Sequence, residues 1–161
     1  MTFQGTFPKG KHAAMKQPIS IRNALLSDFD SVVALDLEGS DDGKRDYWVS
    51  VFDHYINGHN DRCFLVAELD SSVVGFIIGE VRAWEFGSPP CGWVFATAVC
   101  PTVRQMRVGQ QLFEEICEQL KRSGVTTVRT MADRDNNLLL PFFRSMGLRT
   151  GRYIELEKTL D

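Results

Sequence analysis

The chain has 161 residues, 43% hydrophobic and 24% charged, with a formal net charge of −3. That is one domain with enough chain to bury a core without metals or crosslinks. The mild acidity argues against a duplex nucleic-acid binder, which shows a basic face, and no run reaches the roughly 20 apolar residues of a membrane span.

Residues 1–18, MTFQGTFPKGKHAAMKQP, mix Gly, Pro, Lys and polar residues without an apolar core. They read as a flexible leader, neither signal peptide nor anchor, ahead of a single domain at 19–161. The first strand is expected over 19–24. Ser27 and Asp30 have the form of a capping box, and Phe29, Val32, Val33 and Leu37 then keep a helical spacing up to Gly39. A charged loop, EGSDDGKRD, leads to a second amphipathic helix marked by Trp48, Val51, Phe52 and Tyr55 and ended at Asn57-Gly58. The apolar runs 63–69 and 73–81, separated by Asp70-Ser71-Ser72, predict an antiparallel hairpin. After the proline-broken loop 87–92, the run WVFATAV (93–99) is apolar enough for a central strand.

Val108, Leu112, Ile116 and Leu120 recur every four residues and predict a core-facing helix stopped at Gly124. The β-branched segment 125–132 reads as a strand. Strand, helix and strand in that order form a βαβ unit whose strands run parallel. Leu139, Phe142, Phe143 and Met146 predict a further helix ending at Gly147. Pro141 is tolerated only near a helix start, so its regular turns begin after Asn136. The alternating run 154–158 closes the domain as an edge strand. The fold class is therefore α/β, a largely antiparallel sheet with one parallel βαβ pair.

Cys63, Cys91, Cys100 and Cys117 form no CxxC pair, and His12, His54 and His59 do not supply zinc-ligand spacing. No metal is expected, and the cysteines read as reduced thiols of a cytoplasmic protein.

The chemistry concentrates in VCPTVRQMRVGQQLFEE (99–115). A buried strand runs into a loop with two arginines and then into a helix. The first N–H groups of a helix are unpaired and its dipole favours negative charge. Arg104 and Arg107 add donors suited to phosphate oxygens, and Gly109 permits close approach to the backbone. Together they would suit a pyrophosphate; a surface loop with two solvated arginines is the alternative. GxxxxGK[ST] and GxGxxG are both absent, which removes the P-loop and Rossmann fingerprints.

The pattern V-x-P-x-x-R-x-x-x-x-G-x-x-L, carried by Val99, Pro101, Arg104, Gly109 and Leu112, resembles the Gcn5-related N-acetyltransferases. Their Q/R-x-x-G-x-G/A loop appears here as Arg104-x-x-Arg107-x-Gly109, with Arg107 in place of a glycine; a negative φ at 107 would preserve the loop. Asn136, Phe142, Phe143 and Gly147 match a second motif of that family, and the resemblance spans roughly residues 19 to 158. It implies a parallel pair splayed into a V that holds acetyl-CoA. The loop residues Arg104, Gln105, Met106, Arg107, Val108, Gly109 and Gln110 would bind the pyrophosphate. The main chain at Ala98 and Val99, with Asn136 and Phe143, would line the pantetheine arm.

Direct acetyl transfer to a primary amine needs a base, because an ammonium has no lone pair. By resemblance a tyrosine often stands at Phe143 and a carboxylate at Trp93 or Met131, and neither is present. Glu80 is the expected base, ahead of Glu85 and Asp133, and Tyr153 a substitute acid; a solvated strand-end charge and an exposed edge residue are their alternatives. The acceptor, a small molecule or a peptide or protein amine, would meet the first two helices, Glu38, Asp41 and Asp42, and the aromatics Trp84, Phe86 and Trp93. A non-catalytic acyl-CoA-binding or protein-interaction module of the same fold is the rival reading. The edge at 154–158 leaves a homodimer open.

Overall fold

A computed structural model describes residues 18–39, 44–57 and 59–160. The expected leader, apart from Pro18, the loop acids Asp41 and Asp42, and Gly58 lie outside the described residues, and the side chain of Glu38 is not described. Five strands form one sheet in sequence order: β1 (Ser20–Asn23), β2 (Arg62–Leu69), β3 (Ser72–Arg82), β4 (Cys91–Val99) and β5 (Val128–Thr130). β1 to β4 are antiparallel neighbours, and β4 and β5 are parallel. The helices are α1 (Phe29–Gly39), α2 (Arg45–Tyr55), α3 (Val108–Arg122) and α4 (Leu139–Ser145). The mixed α/β architecture is the one expected.

Each face of the sheet carries its own core. On one side Trp48, Phe52, Phe64 and Phe76 pack edge to face beneath α1 and α2. On the other, the predicted row Val108, Leu112, Ile116 and Leu120 is fully buried. Three glycines bring α3 close to the sheet. A Cβ at Gly75 would stand 3.2 Å from Leu112 Cδ1, at Gly79 3.1 Å from Ile116 Cδ1, and at Gly92 2.7 Å from Leu120 Cδ1. The helix therefore rests in a trough that cannot hold side chains, which sets its depth and the position of its N-terminus.

Three expectations change, and the late start expected of the last helix is observed. The first helix is entered through a 3-10 turn, Leu26–Asp28, and it is Asp28 that reaches back to the Leu25 N–H at 2.8 Å, in place of a Ser27–Asp30 box. The 125–132 strand pairs only over Val128–Thr130, because beyond it the chain diverges from β4. Helix α4 begins at Leu139, so Pro141 falls in its first turn, where the missing N–H costs nothing. The edge strand at 154–158 is not formed: residues 149–160 are exposed and have no strand partner among the described residues.

Arg22 fastens β1 to both the turn and β2. Its guanidinium donates to both oxygens of Asp28 (2.7 and 3.0 Å) and to Glu68 (2.8 and 3.0 Å). Burial pushes the Asp28 carboxyl up, but Arg22 and the Leu25 N–H outweigh it and hold it below its ordinary 3.8. A carboxyl depressed in the folded state stabilises fully above the unfolded value and loses that contribution as pH falls through the lower, folded one.

Asp28→Asn is expected to cost about 1.5–3 kcal/mol at neutral pH, with the Tm gap to the wild type narrowing as pH drops below about 4. A gap independent of pH would contradict the ion pair. Gly79→Val should overpack the α3 trough by about 1–3 kcal/mol, read as a lowered Tm despite the better strand propensity of valine.

Candidate functional site

Strand β4 is paired with β3 as far as Gly75↔Val99, but with β5 only at Gly92↔Val128, Trp93↔Arg129 and Val94↔Thr130. From Phe95 to Val99 its β5-side edge has no strand partner among the described residues. The Thr130 hydroxyl donates to the Val94 carbonyl at 2.8 Å and closes the apex of the resulting V. The divergence begins at a bulge: Ile78 lies opposite Ala96 and Gly79 opposite Val94, so Phe95 is an extra residue in β4. A bulge bends its strand and raises the local twist. The predicted Ala98 and Val99 thus stand on an open main-chain edge.

Cys100 donates to the Val74 carbonyl at 2.8 Å, and the chain then turns through the 3-10 segment Pro101–Met106. Val103 is buried and anchors the turn, while Arg104, Gln105 and Arg107 face outward. Neither arginine has an ion-pair partner among the described residues. Arg107 has φ 59° and ψ 29°, in the left-handed region. The expected negative φ is therefore corrected: the arginine takes the conformation a glycine would take, at about 1–2 kcal/mol. The reversal from the 3-10 turn into α3 imposes it. Gln111 makes the first helical bond, to the Arg107 carbonyl at 3.1 Å. The amides of Val108, Gly109 and Gln110 precede it and lie outside the helical ladder. The Gln110 side chain turns along the helix to Glu114 at 2.8 Å, leaving only its backbone to this region.

Helix α4 closes the other side. The Asn136 carboxamide oxygen caps it, accepting the N–H groups of Leu138 (3.0 Å) and Leu139 (2.8 Å). Its NH₂ group is what remains to meet a ligand. Phe143 is 4% exposed, with Phe113 at 5.9 Å and Phe142 at 5.2 Å between ring centroids. It is a core residue. Phe142 packs toward the start of α3: its ring lies 3.3 Å from where a Gly109 Cβ would be. That glycine makes room for an aromatic ring of the protein itself.

The face of the sheet below α1 and α2 carries a row of polar and aromatic groups. Tyr55 donates to Glu80 Oε2 at 2.6 Å and Arg82 to Glu80 Oε1 at 2.9 Å. Arg82 stacks on Trp93, and Arg129 on Tyr153, each 4.7 Å from the ring centroid. Phe95, the bulged residue, packs on Tyr55 at 5.3 Å. Burial, then the neighbouring Glu80, pushes the Tyr55 hydroxyl above its ordinary range, so it remains a donor. The sequence marks Tyr55 only as part of the apolar spacing of an amphipathic helix; its partner is 25 residues away, which no local spacing reveals. Glu80 and Tyr153 are not brought into contact. Trp93 and Arg129 stand between them, and Tyr153 lies on the exposed C-terminal segment.

Trp84 and Phe86 are 69% and 101% exposed at the β3–β4 loop, both with positive φ (62° and 48°). Arg129 donates to the buried Ser88 at 2.6 Å and ties that loop to β5. Among the described residues no group of three His, Cys, Asp or Glu is placed to hold a metal ion, and no helix is long and apolar enough to cross a membrane.

The model of the acetyltransferase (GNAT) family matches residues 21–148. The chain is 31% identical over 97 residues to L-2,4-diaminobutyric acid acetyltransferase from Nocardia farcinica, a match covering 60% of this chain and 49% of that protein. It thus spans about half the length of this curated relative. Its fold is similar to that of AAC(6')-Iy in complex with the bisubstrate analogue CoA-S-monomethyl-acetylneamine, with TM-score 0.77, 18% identity and coverage of 89% and 100% of the two chains. The aminoglycoside 6'-N-acetyltransferase AAC(6')-Ih from Acinetobacter baumannii is similar at TM-score 0.75 and 17% identity, with the same coverage.

Arg107→Gly relieves the left-handed strain and should raise the Tm, each 1 kcal/mol giving roughly 2–4 °C in a domain of this size. An unchanged or lowered Tm would mean that the arginine side chain contributes more than its backbone costs.

Proposed function

Because the chain belongs to the acetyltransferase (GNAT) family, we propose that it transfers the acetyl group of acetyl-CoA directly to the primary amine of a small molecule. The observation that carries this reading is the meeting, among the described residues, of an unpartnered β4 edge (Phe95 to Val99) with three free amides and two unpaired arginines at the start of α3. One end of that path is suited to a diphosphate and the other to amides that need main-chain partners. The amides of Val108, Gly109 and Gln110, with Arg104 and Arg107, hold the diphosphate oxygens. Gln105 and Met106 contribute through the turn that presents those groups. Ala98 and Val99 pair with the pantetheine amides, and the Asn136 NH₂ reaches the arm from α4. The co-substrate supplies an activated thioester.

Glu80 acts as base. It removes a proton from the ammonium through water, so that the nitrogen lone pair forms the new C–N bond while the C–S bond breaks; the sulfur leaves with its electrons and takes up the second proton that the nitrogen sheds in becoming an amide. Tyr55 and Arg82 orient the carboxylate by occupying one oxygen each. Tyr153 is one of the two tyrosines near this row and a second proton donor, on its far side. Proximity of amine and thioester provides much of the acceleration. Relatives named for a diamino acid and for aminoglycosides support a small amine over a protein acceptor. Burial pushes the Cys63 and Cys117 thiols up to about 11, which keeps them protonated and unreactive. The rival reading, a non-catalytic acyl-CoA-binding module, draws on the buried ring at Phe143, which has no proton to give.

Acetyl-CoA is expected to raise the Tm, corresponding to about 2.7 kcal/mol at a hundredfold excess over Kd, and Arg104→Glu to abolish the shift. No shift at millimolar acetyl-CoA defeats both readings. Thiol release on a panel of amines separates them. Glu80→Gln should lower kcat by roughly 10²–10⁴-fold and Tyr55→Phe by less; an undiminished rate in Glu80→Gln removes Glu80 from the mechanism.

A further inference from the structure

On the face of the sheet beneath α1 and α2, the strand ladders set four side chains in one row. Arg62 lies opposite Glu80, Glu80 opposite Trp93, and Trp93 opposite Arg129. Arg82 stands two residues beyond Glu80 on β3 and so shares its face. It is level with Cys91, on the side of Glu80 away from the open edge that starts at Phe95. One carboxylate is thus accompanied by the guanidinium groups of Arg62, Arg82 and Arg129.

The arginines are not equivalent. Arg62 donates Nη1 to the His54 carbonyl at 3.1 Å, and Arg129 donates Nη1 to the Ser88 hydroxyl at 2.6 Å. Arg82 is held by other atoms: its Nε donates to Glu80 at 2.9 Å, and its Cζ lies 4.7 Å from the centre of the Trp93 ring. Those two contacts fix the guanidinium, while neither of its Nη groups has a partner among the described residues. The side chain is 32% exposed, so the free end is within reach of a ligand. A guanidinium pinned in this way presents two donors as a ready fork, the shape that matches a carboxylate.

We propose that the acceptor amine also carries a carboxylate and that the Nη groups of Arg82 hold it, so that the site selects amino acids over simple amines and polycations. The inference rests on the acetyl-transfer reading for the amine end of the acceptor. Along β3 and β4 the open edge comes first, Glu80 next and Arg82 last. The amine therefore faces the base and the thioester, and the carboxylate extends past Glu80 to the fork. A carboxylate bound there also offsets the positive charge of the row, whereas a polycation would add to it. Arg82 is then a specificity-determining residue as well as the one that orients Glu80.

A matched panel tests this on the full chain: 2,4-diaminobutyrate, ornithine, lysine and 4-aminobutyrate, each beside its carboxamide. Thiol release from acetyl-CoA gives kcat and KM, and calorimetry with CoA present gives affinity. For at least one pair the acid should exceed its carboxamide in kcat/KM and in affinity by roughly 10–100-fold, the loss expected when a charged hydrogen bond is removed. Arg82→Gln should lower kcat for both members, because Glu80 loses its anchor, but should raise KM for the acid alone and bring the ratio close to unity. Arg82→Lys keeps the charge without the fork and should restore part of the ratio. Arg62→Gln removes an equal charge whose Nη1 is already engaged and should preserve most of it. Carboxamides that match their acids overturn the proposal. So does an unchanged ratio in Arg82→Gln, a ratio lost equally in Arg62→Gln, or the absence of binding by every acid. Acid-selective binding that Arg82→Gln removes, with no thiol release on any amine, supports the carboxylate site and defeats the acetyl-transfer reading instead.

Discussion

The structure depends on the unequal pairing of β4. That strand is bonded to β3 over its whole length and to β5 for only three residues. A sheet normally satisfies both edges of a central strand, since unpaired N–H and C=O groups away from water are costly. Here the bulge at Phe95 twists β4 away, and the Thr130 hydroxyl terminates the pairing by taking the Val94 carbonyl. What remains is an edge of main-chain donors and acceptors held rigid from behind by β3. An extended ligand with amide groups can complete that edge as a strand would.

The position of the α3 N-terminus follows from packing on the opposite side of the sheet. Gly75, Gly79 and Gly92 leave room for Leu112, Ile116 and Leu120 to sink into the strands. The helix is thereby fixed along its full length, and its first amides are held next to the end of β4. Arg107 carries the backbone strain of the turn that joins them. Strain of this kind persists only where its surroundings enforce it, and the buried Val103 on one side and the α3 trough on the other do so.

Two surfaces meet at the V and have different characters. The α3 face presents amides and arginines, suited to an anion. The α1–α2 face presents Tyr55, Glu80 and Arg82 beside the aromatic Phe95 and Trp93, suited to a group that must lose a proton. A strand between them has alternate side chains on each face, so one strand, β4, serves both. Among the described residues the sheet ends at β5, beside a cleft that the exposed C-terminal segment helps to line.

Element identity was written locally. The four-residue recurrence of Val108 to Leu120 made α3 a buried helix, and alternation and turn residues made the β2–β3 hairpin, because side-chain period and backbone conformation are the same fact seen twice. The loop from Arg104 to Gly109 was legible for the same reason: strand, charged turn and helix start are neighbours in the chain. What the sequence could not state is whatever depends on distant partners. The left-handed Arg107, the burial of Phe143 with Phe142 against Gly109, the Tyr55–Glu80 bond and the failure of 154–158 to become a strand were decided by the tertiary structure. A strand exists only where another backbone accepts its hydrogen bonds, and a side chain's role is set by what folding brings within a few ångströms of it.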